Sequence, residues 1–160
     1  MKVVSNTSPL IFLSKLAKLD LLQQCFAAIL VPEAVSQEFH SATLPDFLQV
    51  HRLDEKGRRF VLAESGKLHA GELSVMALAQ QEHISLVLLD DARARKKAEE
   101  MNLKPLGTLG VLLLAHKRRL LTFDTARACC LALVEEHGMF MSKRVLDRVV
   151  ESLREQEKGH

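Results

Sequence analysis

The order of hydrophobic and polar residues alternates between short unbroken apolar runs and segments with helical spacing. Unbroken apolar runs are typical of strands that are buried on both faces, as in a parallel sheet covered by helices. The runs predict strands at residues 3–4, 29–31, 48–53, 84–89 and 104–106. We therefore expect an α/β fold: a three-layer α/β/α sandwich with a central parallel sheet of four to five strands.

The segments between the runs predict the helices. Ser8 is expected to cap the first helix and Pro9 to occupy its first position. The charged stretch 54–59 is interpreted as a turn. Further helices are predicted near residues 19–26, 32–39, 71–82, 92–101 and 107–120, and two more complete the chain, separated at Gly138 and with Ser142 capping the last.

The length and composition indicate one domain over residues 1–160, with residues 122–156 as C-terminal helices packed on it. At 160 residues and 48% hydrophobic, the chain is long enough to bury a substantial core. The last helix carries an apolar stripe at helical spacing, which favours core packing or a homodimer face. The stripe consists of Leu146, Val149, Val150 and Leu153.

Charge and cysteine usage narrow the function only slightly. The formal net charge of +2 argues neither for nor against a nucleic-acid partner. The three cysteines lack metal-type spacing, and no apolar run approaches the ~18 residues of a membrane helix. We expect a cytoplasmic protein with no membrane contact. Because Trp and Tyr are absent, any nucleic acid would be bound mainly through its phosphates.

Polar side chains follow two of the predicted strands. Asn6 comes after the first strand, and Asp90 and Asp91 come directly after the run 84–89. If the strand order reverses between strands one and four, Asn6 and Asp90 face each other across the crevice where such sheets bind ligands. Asp91 can be explained as a helix cap, whereas Asp90 has no such structural explanation. Asn6 alone could be a turn residue that bonds its own backbone.

Two glutamates lie on predicted helices in less ordinary positions. Glu38 borders the apolar side of its helix and sits in the last turn, where the helix dipole disfavours a negative charge. Glu72 lies in a first turn, where the dipole alone accounts for a negative charge. Three carboxylates and an amide brought together would need a counter-charge. Oxygen-only ligation points to Mg²⁺ or Mn²⁺, which activate water and stabilise attack on a phosphodiester.

Basic residues flank the acidic pair. Arg93 and Arg95 follow it on one short helix and are candidates for binding the RNA backbone. Ser8 and Thr108 complete the candidate substrate-binding residues. Thr108 lies in a G-x-x-G turn at a helix start. Such a turn can bind a phosphate, but an ordinary strand-to-helix turn capped by Thr108 is the favoured interpretation.

Four segments in order resemble the PIN-domain nuclease superfamily, and more narrowly its VapC-like branch of uncharacterised PIN proteins. They are "VVSNTSPLIFLSKL", "VPEAVSQEF", "AGELSVMALA" and "LVLLDDARARKKAEEMNLKPLGTLGVLLLAHKRRLL", within residues 3–121, and the tail "FMSKRVLDRVVESL" is also similar. The resemblance implies a three-layer α/β/α fold and a Mg²⁺- or Mn²⁺-dependent ribonuclease with a toxin-like role and an antitoxin protein as partner.

The resemblance also implies the catalytic, metal-binding quartet Asn6, Glu38, Glu72 and Asp90, with Asp91 as a substitute for the last. The family's usual first residue is Asp, so Asn6 departs from the pattern. An amide oxygen can bind a hard cation but adds no negative charge, and metal affinity and activity should fall. The alternative is a catalytically impaired PIN scaffold that acts as an RNA-binding or regulatory interaction module. A receiver domain fits poorly, because its acidic pair follows the first strand.

Overall fold

The computed structural model describes residues 1–39 and 44–159. Its strands are β1 Lys2–Ser5, β2 Ala28–Pro32, β3 Leu48–His51, β4 Leu86–Leu88 and β5 Lys104–Leu106. Its helices are α1 Thr7–Lys15, α2 Leu21–Cys25, α3 Glu33–Glu38, α4 Glu55–Glu64, α5 Ala70–Gln81, α6 Ala92–Glu100, α7 Thr108–Lys117, α8 Phe123–Glu135 and α9 Lys143–Lys158.

The strands form one parallel sheet in the order β3-β2-β1-β4-β5. Val4 pairs with Leu30 of β2 on one side and with Val87 of β4 on the other. The chain therefore reverses its winding direction between β1 and β4, as expected from the sequence. Open parallel sheets bind ligands beyond the carboxyl ends of the strands at this point.

Helices cover both faces of this sheet, which confirms the three-layer α/β/α fold. Val3, Val4 and Val87 have no exposed surface. A strand buried on both faces has no polar side to alternate with its apolar side, which explains the unbroken apolar runs in the sequence. No described helix combines the length and the apolarity that crossing a bilayer requires.

The first helix begins two residues earlier than the sequence predicted. Asn6, in an extended conformation with φ −82° and ψ 173°, occupies the cap position, and α1 starts at Thr7. The assignment of Ser8 as the cap was therefore wrong, and Pro9 lies third in the helix. Proline is acceptable there because the first N–H groups of a helix have no partner within the helix.

The charged stretch 54–59 was predicted as a turn, and this prediction was wrong. The structure has Asp54 as the cap of α4, with its side chain accepting a hydrogen bond from Gly57 N at 2.8 Å. Glu55 and Arg59 form an ion pair one turn apart, at 2.7 Å. The stretch was interpreted as a turn because it is highly polar, but ion pairs one turn apart also stabilise an exposed helix. Other boundaries shifted by one to three residues; the strands predicted at 48–53 and 84–89, for example, are shorter.

The C-terminal helices pack beside α7. Gly138, with φ 73°, separates α8 from α9, and the Ser142 side chain accepts a hydrogen bond from Val145 N at 3.3 Å. Both features were predicted. Leu153 of the apolar stripe has no exposed surface and belongs to the main core.

Candidate active site

The carboxyl ends of β1 and β4 place Asn6 and Asp90 on neighbouring segments. The Asn6 backbone N–H donates to Leu88 O at 3.1 Å, which extends the pairing of β1 with β4 by one residue. Asp90 follows Leu88 by two residues. The adjacency that the sequence predicted is therefore present in the backbone.

Asn6 and Glu38 converge beside the start of α5. A Cβ atom added to Gly71 would lie 3.2 Å from Glu38 Oε1 and 3.3 Å from Asn6 Oδ1. Both side chains thus present an oxygen to the same space, which is open because residue 71 is glycine. Asn6 is 8% exposed, whereas Glu38 is exposed to solvent.

Thr7 holds the Glu38 carboxylate. Its hydroxyl donates to Glu38 Oε2 at 2.9 Å, and the Thr7 residue is itself buried. Both Glu38 oxygens lie close to Gly71, since the added Cβ would be 3.2 Å from Oε1 and 3.4 Å from Oε2, and Oε2 is the one that Thr7 binds. A hydrogen bond to a charged acceptor is stronger than one between neutral groups, so Thr7 restricts the carboxylate effectively.

Glu72 lies beside Gly71 but is turned toward the start of its own helix. Its Oε2 accepts a hydrogen bond from the His69 backbone N–H at 3.3 Å. Burial raises the pKa of Glu72, and the negative charge of Asp91 raises that pKa further; the His69 N–H acts in the opposite direction. The Asp91 charge therefore acts on Glu72 directly.

Asp90 caps α7 from a distance. Its Oδ1 accepts from Thr108 N at 2.7 Å, and its Oδ2 accepts from the Thr108 hydroxyl at 2.8 Å. Burial raises the pKa of Asp90, while the two Thr108 hydrogen bonds and the Arg95 charge lower it. Asp90 therefore has a structural role that the sequence did not reveal. Asp91 caps α6, as predicted, by accepting from Ala94 N at 2.9 Å.

The candidate substrate-binding residues differ in accessibility. Arg93 is exposed, and its Nη2 donates to Lys67 O at 3.2 Å. Arg95 is half-buried and directs its guanidinium to the Asp90 backbone carbonyl. Thr108 is fully buried, with its N–H and hydroxyl on Asp90, and Ser8 is half-buried on α1. Arg93 thus has the most accessible side chain, whereas Arg95 and Thr108 contact Asp90.

The donor set matches a hard divalent cation in part. All four side chains offer oxygen, which Mg²⁺ and Mn²⁺ prefer. In residues 1–39 and 44–159, however, no three or more His, Cys, Asp or Glu side chains are grouped closely enough to hold a metal ion. Asn6 and Glu38 converge, whereas Glu72 and Asp90 bond to His69 and Thr108.

The sequence alone did not indicate how three residues, Thr7, Gly107 and Thr108, position the acidic side chains of this site. Thr7 and Thr108 hold Glu38 and Asp90 across 31 and 18 residues of chain, respectively. A Cβ atom on Gly107 would lie 3.1 Å from Asp90 Oδ1, so glycine allows Asp90 to approach α7. A hydroxyl or a glycine beside a strand end was the available signal, but it does not identify the partner.

The fold and this edge define a three-layer α/β/α protein with acidic and amide side chains at the reversal point of its sheet. A family model described as PIN domain (DUF3368) matches residues 2–155, and the chain belongs to this PIN-domain family. The family confirms the resemblance to the PIN-domain nuclease superfamily. Neither the curated proteins nor the solved structures include a significant match.

Proposed function

We propose that the protein is an endoribonuclease of the PIN type that depends on Mg²⁺ or Mn²⁺ and has low activity. The observation that carries this proposal is the convergence of Asn6 Oδ1 and Glu38 Oε1 on the space beside Gly71. This space adjoins Asn6, which follows the carboxyl end of β1. Membership of the PIN-domain family supports a nuclease function.

Asn6 and Glu38 are the residues that would hold the ion. A bound divalent ion would activate water and stabilise negative charge on the phosphodiester. Thr7 orients Glu38 by donating to one of its two carboxylate oxygens. Asn6 contributes a dipole in place of a full charge, and we therefore expect weak metal affinity.

The remaining acids have separate proposed roles. The charge of Asp91 raises the pKa of Glu72, and both side chains line the same groove, so a cation beside them would relieve their repulsion. Asp90 is largely occupied by Thr108 and would contribute negative charge from behind the site. Arg93 is proposed to bind the RNA backbone.

The first test restores the carboxylate that the family resemblance predicts. Asn6→Asp should tighten Mn²⁺ binding and raise RNA cleavage, because a second anionic oxygen would join Glu38 beside Gly71. Mn²⁺ affinity is measured from the rise in thermal midpoint during a Mn²⁺ titration. RNA cleavage is measured with a labelled RNA. Asn102→Asp is the matched control, since it makes the same chemical change after α6, away from the sheet edge.

The control decides how a gain is interpreted. If Asn102→Asp produces the same gain in Mn²⁺ affinity, then added charge alone is responsible and the proposed site is wrong. Unchanged midpoints and no RNA cleavage in both the wild type and Asn6→Asp would overturn the proposed activity.

A second function is favoured by a separate observation. The neutral Asn6 and the engagement of both Asp90 oxygens by Thr108 are what an impaired PIN scaffold would show, acting as an RNA-binding or regulatory interaction module. Binding of RNA by Asn6→Asp without cleavage in Mn²⁺ would favour this alternative. The toxin-like role, the antitoxin partner, the homodimer and the cytoplasmic location remain predictions that rest on the sequence and its resemblance.

A further inference from the structure

A groove of about 570 Å³ lies between the loop that precedes α5 and the start of α6. Residues 66–70 supply one wall, and Asp91 and Arg93 supply the other. The Arg93 guanidinium joins the walls by donating to Lys67 O at 3.2 Å. We call this feature the α5–α6 groove.

The α5–α6 groove adjoins the candidate active site. Glu72 lines it, and the neighbouring residue Gly71 faces Asn6 and Glu38. Asp91, another lining residue, directly follows Asp90. Two candidate site residues, Glu72 and Asp91, therefore lie in the same groove as Lys67 and Arg93.

Two basic side chains, Lys67 and Arg93, line the same groove as Glu72 and Asp91. The Lys67 side chain is 72% exposed and pairs with Glu64 at 3.4 Å, and Lys97 lies 3.8 Å from the same carboxylate. Exposed ion pairs of this kind contribute little free energy. A phosphate can therefore replace Glu64 as the partner of Lys67 at small cost. Arg93 is exposed and has further N–H groups besides the one bound to Lys67 O.

The lining offers little for recognition of bases. The one ring side chain in the lining is His69; the groove contains no Phe, Trp or Tyr and so no larger aromatic platform. Base-specific binding of single strands depends mainly on aromatic stacking and on hydrogen bonds to base edges. Lys and Arg side chains without such a platform favour the phosphates.

We propose that the α5–α6 groove binds the backbone phosphates of single-stranded RNA through Lys67 and Arg93. The inference rests on the proposed ribonuclease function and identifies where the substrate continues beyond the cleavage point. Binding through phosphates is independent of base sequence and weakens as salt increases. Glu72 and Asp91, which line the same groove, repel phosphates unless a cation is bound beside them.

The test measures RNA binding without metal, so that it is separate from cleavage. A short fluorescein-labelled single-stranded RNA is titrated in EDTA over a series of salt concentrations, by fluorescence anisotropy. Lys67→Ala and Arg93→Ala should weaken binding of oligouridine and of mixed-sequence RNA by the same factor. Each should reduce the slope of log affinity against log salt by about 0.7, the value for one phosphate contact on a single strand.

Matched controls remove the same charges on α9. Lys143→Ala and Arg144→Ala change exposed cations of the last helix and should leave affinity and salt slope as in the wild type. Lys67→Arg should retain the RNA affinity of the wild type, and Lys67→Glu should lower the RNA affinity more than Lys67→Ala does. Thermal midpoints near the wild-type value would show that the variants remain folded.

Three results would overturn the inference: no RNA binding by the wild type at low salt, unchanged binding in Lys67→Ala and Arg93→Ala, or equal losses in the α9 controls. The proposed function is judged separately, by cleavage in Mn²⁺. If the wild type cleaves RNA while the groove variants bind RNA normally, the proposed RNA binding by the groove is wrong and the proposed ribonuclease function is retained. If the groove variants lose RNA binding while neither the wild type nor Asn6→Asp cleaves RNA, the proposed RNA binding is retained and the proposed ribonuclease function is wrong.

Discussion

Single threonine hydroxyls determine where two of the acidic side chains lie. Thr7 donates to Glu38 at 2.9 Å, and Thr108 donates to Asp90 at 2.8 Å. Both threonines are buried, at 7% and 0% exposed, so their hydroxyls have few competing water partners. Each carboxylate is consequently restricted by a residue from a different part of the chain, and the site depends on these hydroxyls as well as on the acids.

Replacing the Thr7 hydroxyl with a methyl group tests this dependence. Thr7→Val keeps the shape of the side chain but leaves Glu38 without its donor, and we expect Mn²⁺ affinity to fall by about tenfold, as for other residues that orient metal ligands. Thr7→Ser retains the hydroxyl and should recover most of the affinity. The measurement is a Mn²⁺ titration followed by thermal midpoint, in the wild type and in Asn6→Asp. Equal Mn²⁺ affinity in Thr7→Val and the parent protein would contradict this role.

At the scale of elements, several helices end in a residue with a left-handed backbone that is not glycine. Ala17 after α1 has φ 55°, and Asn102 after α6 has φ 61°. After α1, Lys18 N donates to Leu13 O at 2.8 Å and Ala17 N donates to Ser14 O at 2.9 Å. This is the Schellman arrangement, in which glycine is usual because a Cβ is unfavourable at positive φ.

Ala17→Gly is therefore expected to stabilise the protein by about 0.5 to 1 kcal/mol, in contrast to most Ala→Gly changes. Ala128 is also exposed but lies inside α8, and Ala128→Gly should destabilise by about the same amount, because glycine loses more backbone freedom in a helix. Urea unfolding at constant temperature measures both free energies. A destabilised Ala17→Gly protein would show that the left-handed position carries no strain.

The sequence predicts those helices, strands and caps that are determined by residues close to one another in the chain. Buried strands and the Asp91 and Ser142 caps are local patterns, and they were predicted correctly. The helix α4 was missed because its charges resemble a loop, although Asp54 is an ordinary cap. The adjacency of Asn6 and Asp90 followed from sheet topology. The bond from Thr108 to Asp90 could not be predicted, because it depends on how closely α7 approaches β4.

At the scale of the whole molecule, the C-terminal helices share the core of the sheet. Leu153 of α9 and Leu10 of α1 belong to the same hydrophobic cluster, and both have no exposed surface. The His116 side chain of α7 is 1% exposed and lies 2.8 Å from Gln156 Oε1 and 2.9 Å from Glu157 Oε2. Apolar and polar contacts thus both connect α9 to α7, and one domain over residues 1–160 stays a prediction.

One cooperative domain should show one unfolding transition that responds to both ends of the core. Leu153→Ala and Leu10→Ala each remove a fully buried side chain, and each should lower the free energy of unfolding by about 2 to 5 kcal/mol. Leu62, which is 75% exposed on α4, is the control. Leu62→Ala should change the free energy of unfolding by less than about 0.5 kcal/mol. Urea unfolding is followed by far-ultraviolet circular dichroism and by hydrogen exchange of individual amides. If Leu153→Ala weakens protection only in α8 and α9 while the amides of β1 keep theirs, the C-terminal helices are a separate folding unit. If β1 loses protection together with α9, the sheet that carries Asn6 and the C-terminal helices unfold as one body.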